Sequence, residues 1–405
     1  MRSLLSSRRA LRPLAAKASL ADVAAAKNAV MRSKMLQGKV MVATIAPAAR
    51  VAISEAFGLD PGDVSAGQMV TLLKHVGFRF VFDVLHAADV TIVEEADELL
   101  RRLAAGDLAD APMFTSCCPG WTALVDKQFP ALRSAVSTCK SPMLISGALV
   151  KRCFAPRVLR RPAEDVWVMS VMPCLKKQDE ARAGTDVDMV VTTAELAEIF
   201  KQHCMVAQHQ FETPFDAPFA ESSGAAALFG RSGGVMTAAL RYAHAVLTDG
   251  AEMPAIVFAP CAGLPEVREA RVSIPVARPT HGLPAGAVLG LDVAVIVGIG
   301  AAKKYAKAVL AGDRSIARHH FVEVMACAPA GCASGGGQPA VGGNKSLLGA
   351  RVALLDGLDA ANAAEGAHDN RQVEELYREW LGDPGGDLAH QLLHVHRVDD
   401  ATRGA

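Results

Sequence analysis

Residues 39–58 read KVMVATIAPAARVAISEAFG, and the way this stretch divides sets the fold class. Its first half is an unbroken apolar run that stops at Pro47, the pattern of a strand buried on both faces. Its second half is amphipathic at helical spacing and closes at Gly58. The same alternation returns downstream. RFVFDVL (79–85) precedes the helical TIVEEADELLRRLAAG, closed by Gly106, and APMFTSC precedes PGWTALVDKQF, with Pro119 near the helix start. DVWVMSVMPC (165–174) is another strand; VDMVVTT leads into AELAEIFKQHC, LDVAVIVGIG into AAKKYAKAVLAG, and HFVEVMAC ends at Cys327.

This rhythm implies an α/β protein of two lobes, each built on a mainly parallel sheet flanked by helices. The Asp- and Pro-containing stretch near 155–165 places the junction. The expected divisions are a first lobe over 37–160, a second over 161–345 and a helical tail over 346–405, the tail holding NRQVEELYREWLG and the His-rich HQLLHVH.

With 405 residues, 51% hydrophobic and 21% charged, the chain is long enough for a sizeable core. No apolar run reaches the roughly eighteen residues of a bilayer span, so no membrane partner is expected. A formal net charge of zero hides an asymmetry: residues 1–36 carry eight Lys/Arg and only Asp22 as an acid, leaving 34 basic and 41 acidic residues beyond them. This Ser- and Ala-rich basic segment reads as an organelle transit peptide over 1–36. The acidic remainder gives no reason to expect nucleic acid as a partner.

Nine cysteines, none before Cys117, in a long chain without a secretory signal point to metal or thiol chemistry rather than a disulfide framework. Their position is more informative than their number. Cys117 and Cys118 in FTSCCPGW, Cys174 and Cys327 each follow the carboxyl end of a predicted strand, where open α/β sheets place ligands. Cys332 follows Cys327 through a short turn and precedes SGGGQP. Neighbouring side chains on extended backbone point to opposite sides, so Cys117 and Cys118 are expected to serve different purposes. Thiolates converging from three loops suit an iron–sulfur cluster; zinc also accepts four thiolates, although tight pairs of cysteine knuckles are missing. The glycines Gly335–Gly337 suit close backbone approach. Cys139, Cys153, Cys204 and Cys261 read as core or surface residues.

MFTSCCPGW, VMPCLKKQDE and FVEVMAC…GC…GGGQP resemble, in order, the three signature segments of iron-only (FeFe) hydrogenases. The resemblance runs from about residue 39 to 396 and takes in ADVTIVEEADEL, CKSP and LFGRSGGVMTAALR. It implies an H-cluster in the cleft between the lobes: a 4Fe-4S cubane joined through a cysteine sulfur to a two-iron unit with CO, CN and azadithiolate ligands. It implies Cys118, Cys174 and Cys327 as cubane ligands, Cys332 as the bridging ligand and Cys117 as the proton-delivering thiol. Glu95 and Glu98, which share a helix face at i, i+3, would stand with Ser137 on the route from solvent. Lys177 would donate to an iron-bound cyanide, Met172, Met325 and Phe229 would pack on the two-iron unit, and Pro47, Ala48 and Ser141 would line the same pocket.

The sequence departs from the family pattern at three places. CAPAGC puts four residues between Cys327 and Cys332 where three are typical, Met143 stands where a glutamine is usual, and Ala48 replaces a small polar residue of some members. The lack of upstream cysteines resembles the algal type, whose implied partners are a plant-type 2Fe-2S ferredoxin and the H-cluster maturation proteins, with a monomer in the chloroplast stroma expected. Mitochondrion is the alternative compartment. Lys303, Lys304 and Lys307 are the expected contributors to a ferredoxin-docking patch. The function implied is reversible reduction of protons to dihydrogen; the alternatives are a hydrogenase-like iron–sulfur assembly factor or an inactive or sensory homologue.

Overall fold

The computed structural model describes residues 18–395. Nine strands occur among them: β1 (Val40–Ile45), β2 (Phe80–Asp83), β3 (Met113–Phe114), β4 (Val166–Met172), β5 (Met189–Thr192), β6 (Ala259–Cys261), β7 (Leu264–Pro275), β8 (Val288–Val297) and β9 (Phe321–Met325). They form two sheets, ordered β2-β1-β4-β5 and β3-β9-β8-β7-β6.

The first sheet is parallel throughout. β1 and β4 are buried at every position, as a sheet covered by helices on both faces requires. Their polar residues, Thr44 and Ser170, satisfy each other across the sheet at 2.8 Å. The second sheet is mixed: β3, β9 and β8 run parallel, whereas β7 and β6 are antiparallel additions at one edge. That hairpin is invisible to a search for apolar runs, because LPEVREARVSIP interleaves charges with its apolar residues and one side is solvated.

The sheets do not divide at residue 160. β4 and β5 follow that point yet complete the first sheet, and the two-residue β3 carries the TSCC segment into the second sheet beside β9. The expected lobes are therefore present as two sheets, but each is assembled from both sides of the expected boundary.

The 1–36 segment is also divided. Residues 1–17 lie outside the described residues, whereas Leu20–Leu36 is a helix opened by a Ser19–Asp22 capping box. It buries Ala24 and Met31 completely. Lys27 Nζ donates to Glu195 at 2.7 Å and to the Val190 carbonyl at 2.8 Å. Half of the basic stretch thus belongs to the folded body. The tail holds helices Lys345–Ala360, Arg371–Leu376 and Asp387–Leu393. It is fastened by buried bonds from Tyr377 and His394 to Glu94. No helix among the described residues is long and apolar enough to cross a membrane.

Candidate metal centre

The carboxyl ends of β1, β3, β4 and β9 meet at one cavity of about 740 Å³ of atom-free space, part of it open to solvent. Cys117, Cys118, Cys174, Cys327 and Cys332 all line it, together with Pro47, Ala48, Met172, Lys177, Phe229 and Met325. Met143, in the position where a glutamine is usual, adds a buried apolar wall. Ser141, expected to line the pocket, is not among the lining residues, which begin at its neighbour Pro142; its buried hydroxyl has no protein partner.

Each thiol reaches the cavity for a local reason. Pro119 starts the Pro119–Gln128 helix immediately after Cys118, whose Sγ accepts the Ala326 N–H at 3.4 Å. A Cβ on Gly120 would lie 2.8 Å from Ala326 Cβ, so glycine lets this turn approach the Cys327 segment. Gly335 and Gly337 do the same for the third segment: Gly337 N–H donates to the Pro173 carbonyl at 2.8 Å, and a Cβ on Gly335 would collide with that oxygen. The Cys332 loop is thereby packed on the Cys174 loop.

The extra residue between Cys327 and Cys332 bulges outward, with Ala328 and Pro329 exposed. The loop closes by Gly331 N–H donating to the Cys327 carbonyl at 2.9 Å, with Gly331 at φ +66°. Both sulfurs remain on the cavity wall.

Protonation separates these thiols. The hydrogen bond from the Cys327 thiol pulls Cys174 down to about 6, against the opposing effect of burial. Cys327 is correspondingly driven up by that bond and by burial. Burial, with the charges of Cys118 and Cys174, pushes Cys332 up to about 12. Burial also raises Cys118. For Cys117, burial and the neighbouring Glu95 push the thiol well above its ordinary value. Four sulfur donors converging on one cavity are the donor type that iron–sulfur clusters take. The donor set and the orphaned Ser141 hydroxyl fit a sulfur-ligated metal cluster with polar non-protein ligands.

Lys177 is buried, with Nζ donating to the Cys117 carbonyl at 3.1 Å and pairing with Glu180 Oε2 at 2.7 Å. Burial lowers its pKa, but Glu180 and the nearby thiols outweigh it, so the ammonium is favoured. Glu180 was missed by the sequence reading; its i, i+3 spacing from Lys177 was the available signal.

Behind Cys117 lies a file of buried polar groups on the Val84–Ala105 helix and the 115–139 segment. Glu95 Oε1 accepts the Ser116 N–H at 3.1 Å, while Oε2 has no protein partner. Burial pushes this carboxyl up to about 8. Ser137 Oγ donates to Glu98 Oε2 at 2.7 Å, and Glu98 accepts Arg102 Nη2 at 2.6 Å nearer the surface. These residues form one file rather than a solvated acidic face.

Residues 39–336 match the family described as iron-only hydrogenase large subunit, C-terminal domain, and residues 345–399 match iron hydrogenase small subunit. The chain is 39% identical to the NADP-reducing hydrogenase subunit HndD of Solidesulfovibrio fructosivorans over 88% of its length, spanning 60% of that relative. It is 33% identical to iron hydrogenase 1 of Clostridium pasteurianum over 94% of its length, spanning 64% of that relative. The bovine cytosolic iron-sulfur assembly component 3 is 30% identical over 91% of this chain and 76% of its own. Among solved structures, FeFe-hydrogenase HydA1 from Chlamydomonas reinhardtii superimposes with a TM-score of 0.78 at 37% identity, covering 89% of this chain and 94% of that one.

Proposed function

The chain belongs to the iron-only hydrogenase family, and on that premise we propose that it reversibly reduces protons to dihydrogen at an H-cluster held in the cysteine-lined cavity. The observation that carries this reading is the convergence of five cysteines, from three separate segments, on one cavity beside a buried lysine.

Cys118, Cys174 and Cys327 would hold the cubane, and Cys332 would be the ligand shared with the two-iron unit. When bound, the cluster supplies electrons and an open metal position. The remaining chemistry belongs to side chains. Lys177 would donate a hydrogen bond to a cyanide ligand, and the unpartnered Ser141 hydroxyl would be a second donor. Pro47, Ala48, Met172, Phe229 and Met325 exclude water around the two-iron unit. Cys117 holds the proton nearest that unit. Glu95, whose charge is felt at Cys117, would recharge it, and Glu98 would recharge Glu95 through Ser137.

Electrons are proposed to come from a plant-type ferredoxin. Lys304 and Lys307 are exposed on the helix Ile299–Leu310, whereas Lys303 is half-buried. Lys304 already pairs with Glu266 at 2.8 Å, which leaves Lys307 the stronger candidate for docking. Lys307→Glu should raise the KM for ferredoxin and leave turnover with a dye donor unchanged; equal ferredoxin kinetics would remove this surface. We also propose the chloroplast stroma as the compartment; the packing of the Leu20–Leu36 helix into the body supports a leader that ends before Ser19. Amino-terminal sequencing of the protein from isolated plastids tests both points. The two-iron unit requires dedicated maturation proteins.

The likeness to iron–sulfur assembly components supports a second reading. A cavity-facing thiol backed by a buried carboxyl and a route towards the surface favours proton chemistry over assembly alone. Infrared spectroscopy of anaerobically matured protein decides: iron-bound CO and CN stretches with hydrogen evolution are expected, and a cubane without those bands would leave the assembly reading.

A further inference from the structure

The Cys332 loop gets little support from apolar packing on its outer side, where Ala328, Pro329, Gly336 and Ala340 are exposed. It is held instead by one buried guanidinium. Arg351, on the Lys345–Ala360 helix, is 1% exposed. Its Nη1 donates to the Ala333 carbonyl at 2.7 Å, and its Nη2 to the Pro339 carbonyl at 3.0 Å, so it grips the segment that follows Cys332 at two points. The same guanidinium forms a two-pronged pair with Glu55, Nε to Oε1 at 2.7 Å and Nη2 to Oε2 at 2.6 Å.

Glu55 sits in the turn Ile53–Phe57, directly after the Pro47–Ala52 helix that begins on the cavity wall. Gln338 closes the inner side, its Nε2 donating to the Ala48 carbonyl at 2.7 Å and reaching the Cys332 carbonyl at 3.4 Å. One turn beyond Arg351, Leu355 packs with Val51 and Ala333. Three segments far apart in sequence therefore meet at one cation: the cavity-wall helix, the loop carrying Cys332, and a helix in the part similar to the small subunit.

We propose that Arg351 is a positioning residue for the bridging sulfur: with Glu55 it fixes the Cys332 loop against the Pro47–Ala52 helix so that the two-iron unit can be taken up. The small-subunit-like segment then builds the site rather than merely covering it. A planar fork suits this task because it meets two carbonyls and a carboxylate in one plane, which an ammonium cannot do. Holding the segment directly after Cys332 anchors one end of the lengthened Cys327–Cys332 turn, where misplacement of about 1 Å is costly.

The proposal rests on Cys332 being the bridging ligand, and the test separates the two. Full-length wild type, Arg351→Lys and the neutral pair Glu55→Gln/Arg351→Met are reconstituted with iron and sulfide. They are then titrated with a synthetic di-iron azadithiolate complex and read by iron content, melting of the metal-free chain and infrared CO and CN bands. The double variant avoids leaving Glu55 as an unpaired buried charge.

The expected result is a folded chain that keeps its cubane iron while affinity for the di-iron complex falls about 10- to 100-fold, with shifted or multiplied CO and CN bands. Wild-type uptake and bands in both variants would overturn the clamp, as would joint loss of cubane iron and melting temperature, which marks a purely structural role. Failure of the wild type itself to take up either iron component would overturn the hydrogenase reading and the clamp with it.

Discussion

Glu94 and Glu95 are adjacent, on one helix, and both are fully buried, yet their surroundings make them opposites. Glu94 accepts the Tyr377 hydroxyl at 2.5 Å, the Gly385 N–H at 3.0 Å and the His394 Nε2–H at 2.9 Å. His394 Nδ1 is in turn hydrogen-bonded with Thr138 Oγ1 at 2.8 Å. Burial and Glu94 raise the Tyr377 phenol well above its ordinary range, so it stays a donor. Glu95 has a single backbone donor and one bare oxygen, and burial lifts its carboxyl to about 8. The number of donors turned towards a buried carboxyl decides its use. A saturated one is a fastening, here of the C-terminal tail to the Val84–Ala105 helix; an undersupplied one keeps its proton and can pass it on.

This contrast is open to direct attack, and the largest effect is expected on turnover. Glu95→Gln imitates the neutral carboxyl, so the chain should fold and keep its iron while hydrogen evolution falls about 100- to 1,000-fold. Wild-type turnover in that variant would erase the distinction between the neighbours.

The counterpart acts on stability. Tyr377→Phe removes one of the donors of Glu94 and should cost about 1–3 kcal/mol in chemical denaturation, with turnover per cluster unchanged. A loss of turnover per cluster without loss of stability would place Glu94 in the proton path.

The smallest effect sharpens the comparison through pH. Glu95 has a folded pKa of about 8, above the ordinary carboxyl value of 4.5, so between those values the folded chain binds the extra proton. Its contribution to stability is therefore present at low pH, falls as pH rises through that window, and levels off above about 8. Denaturation at several pH values should show a shallower decline in Glu95→Gln than in wild type, by at most about 1.4 kcal/mol per pH unit. Identical slopes would mean that Glu95 is charged in the folded chain.

Much of the fold was legible because buried parallel strands carry a local signature. KVMVATI, DVWVMSVM and LDVAVIVG are unbroken apolar runs, and the structure has strands at each. β7 was missed because an edge strand with a solvated side keeps its charges, whereas APMFTSC reads as a strand and holds the two-residue β3. The lobe boundary was not legible because strand pairing is long-range: β3 pairs with β9 in the second sheet, while β4 and β5 join the first. At the site, the cysteines were legible from their place after strand ends. Arg351 was not, since an arginine in a helix looks like any solvated one until the loop above it is placed.

Which reactive groups the chain possesses, and which strand or helix end each occupies, were determined by the sequence itself, because strand burial, helix starts and glycine turns depend on neighbours a few residues away. Which of those groups share a cavity was decided only in three dimensions. So was the choice of Glu94 as the carboxylate saturated by the tail, and of Arg351 as the grip on the Cys332 loop. The partners concerned come from distant segments, and only the packing of the two sheets and the tail brings them within hydrogen-bond length.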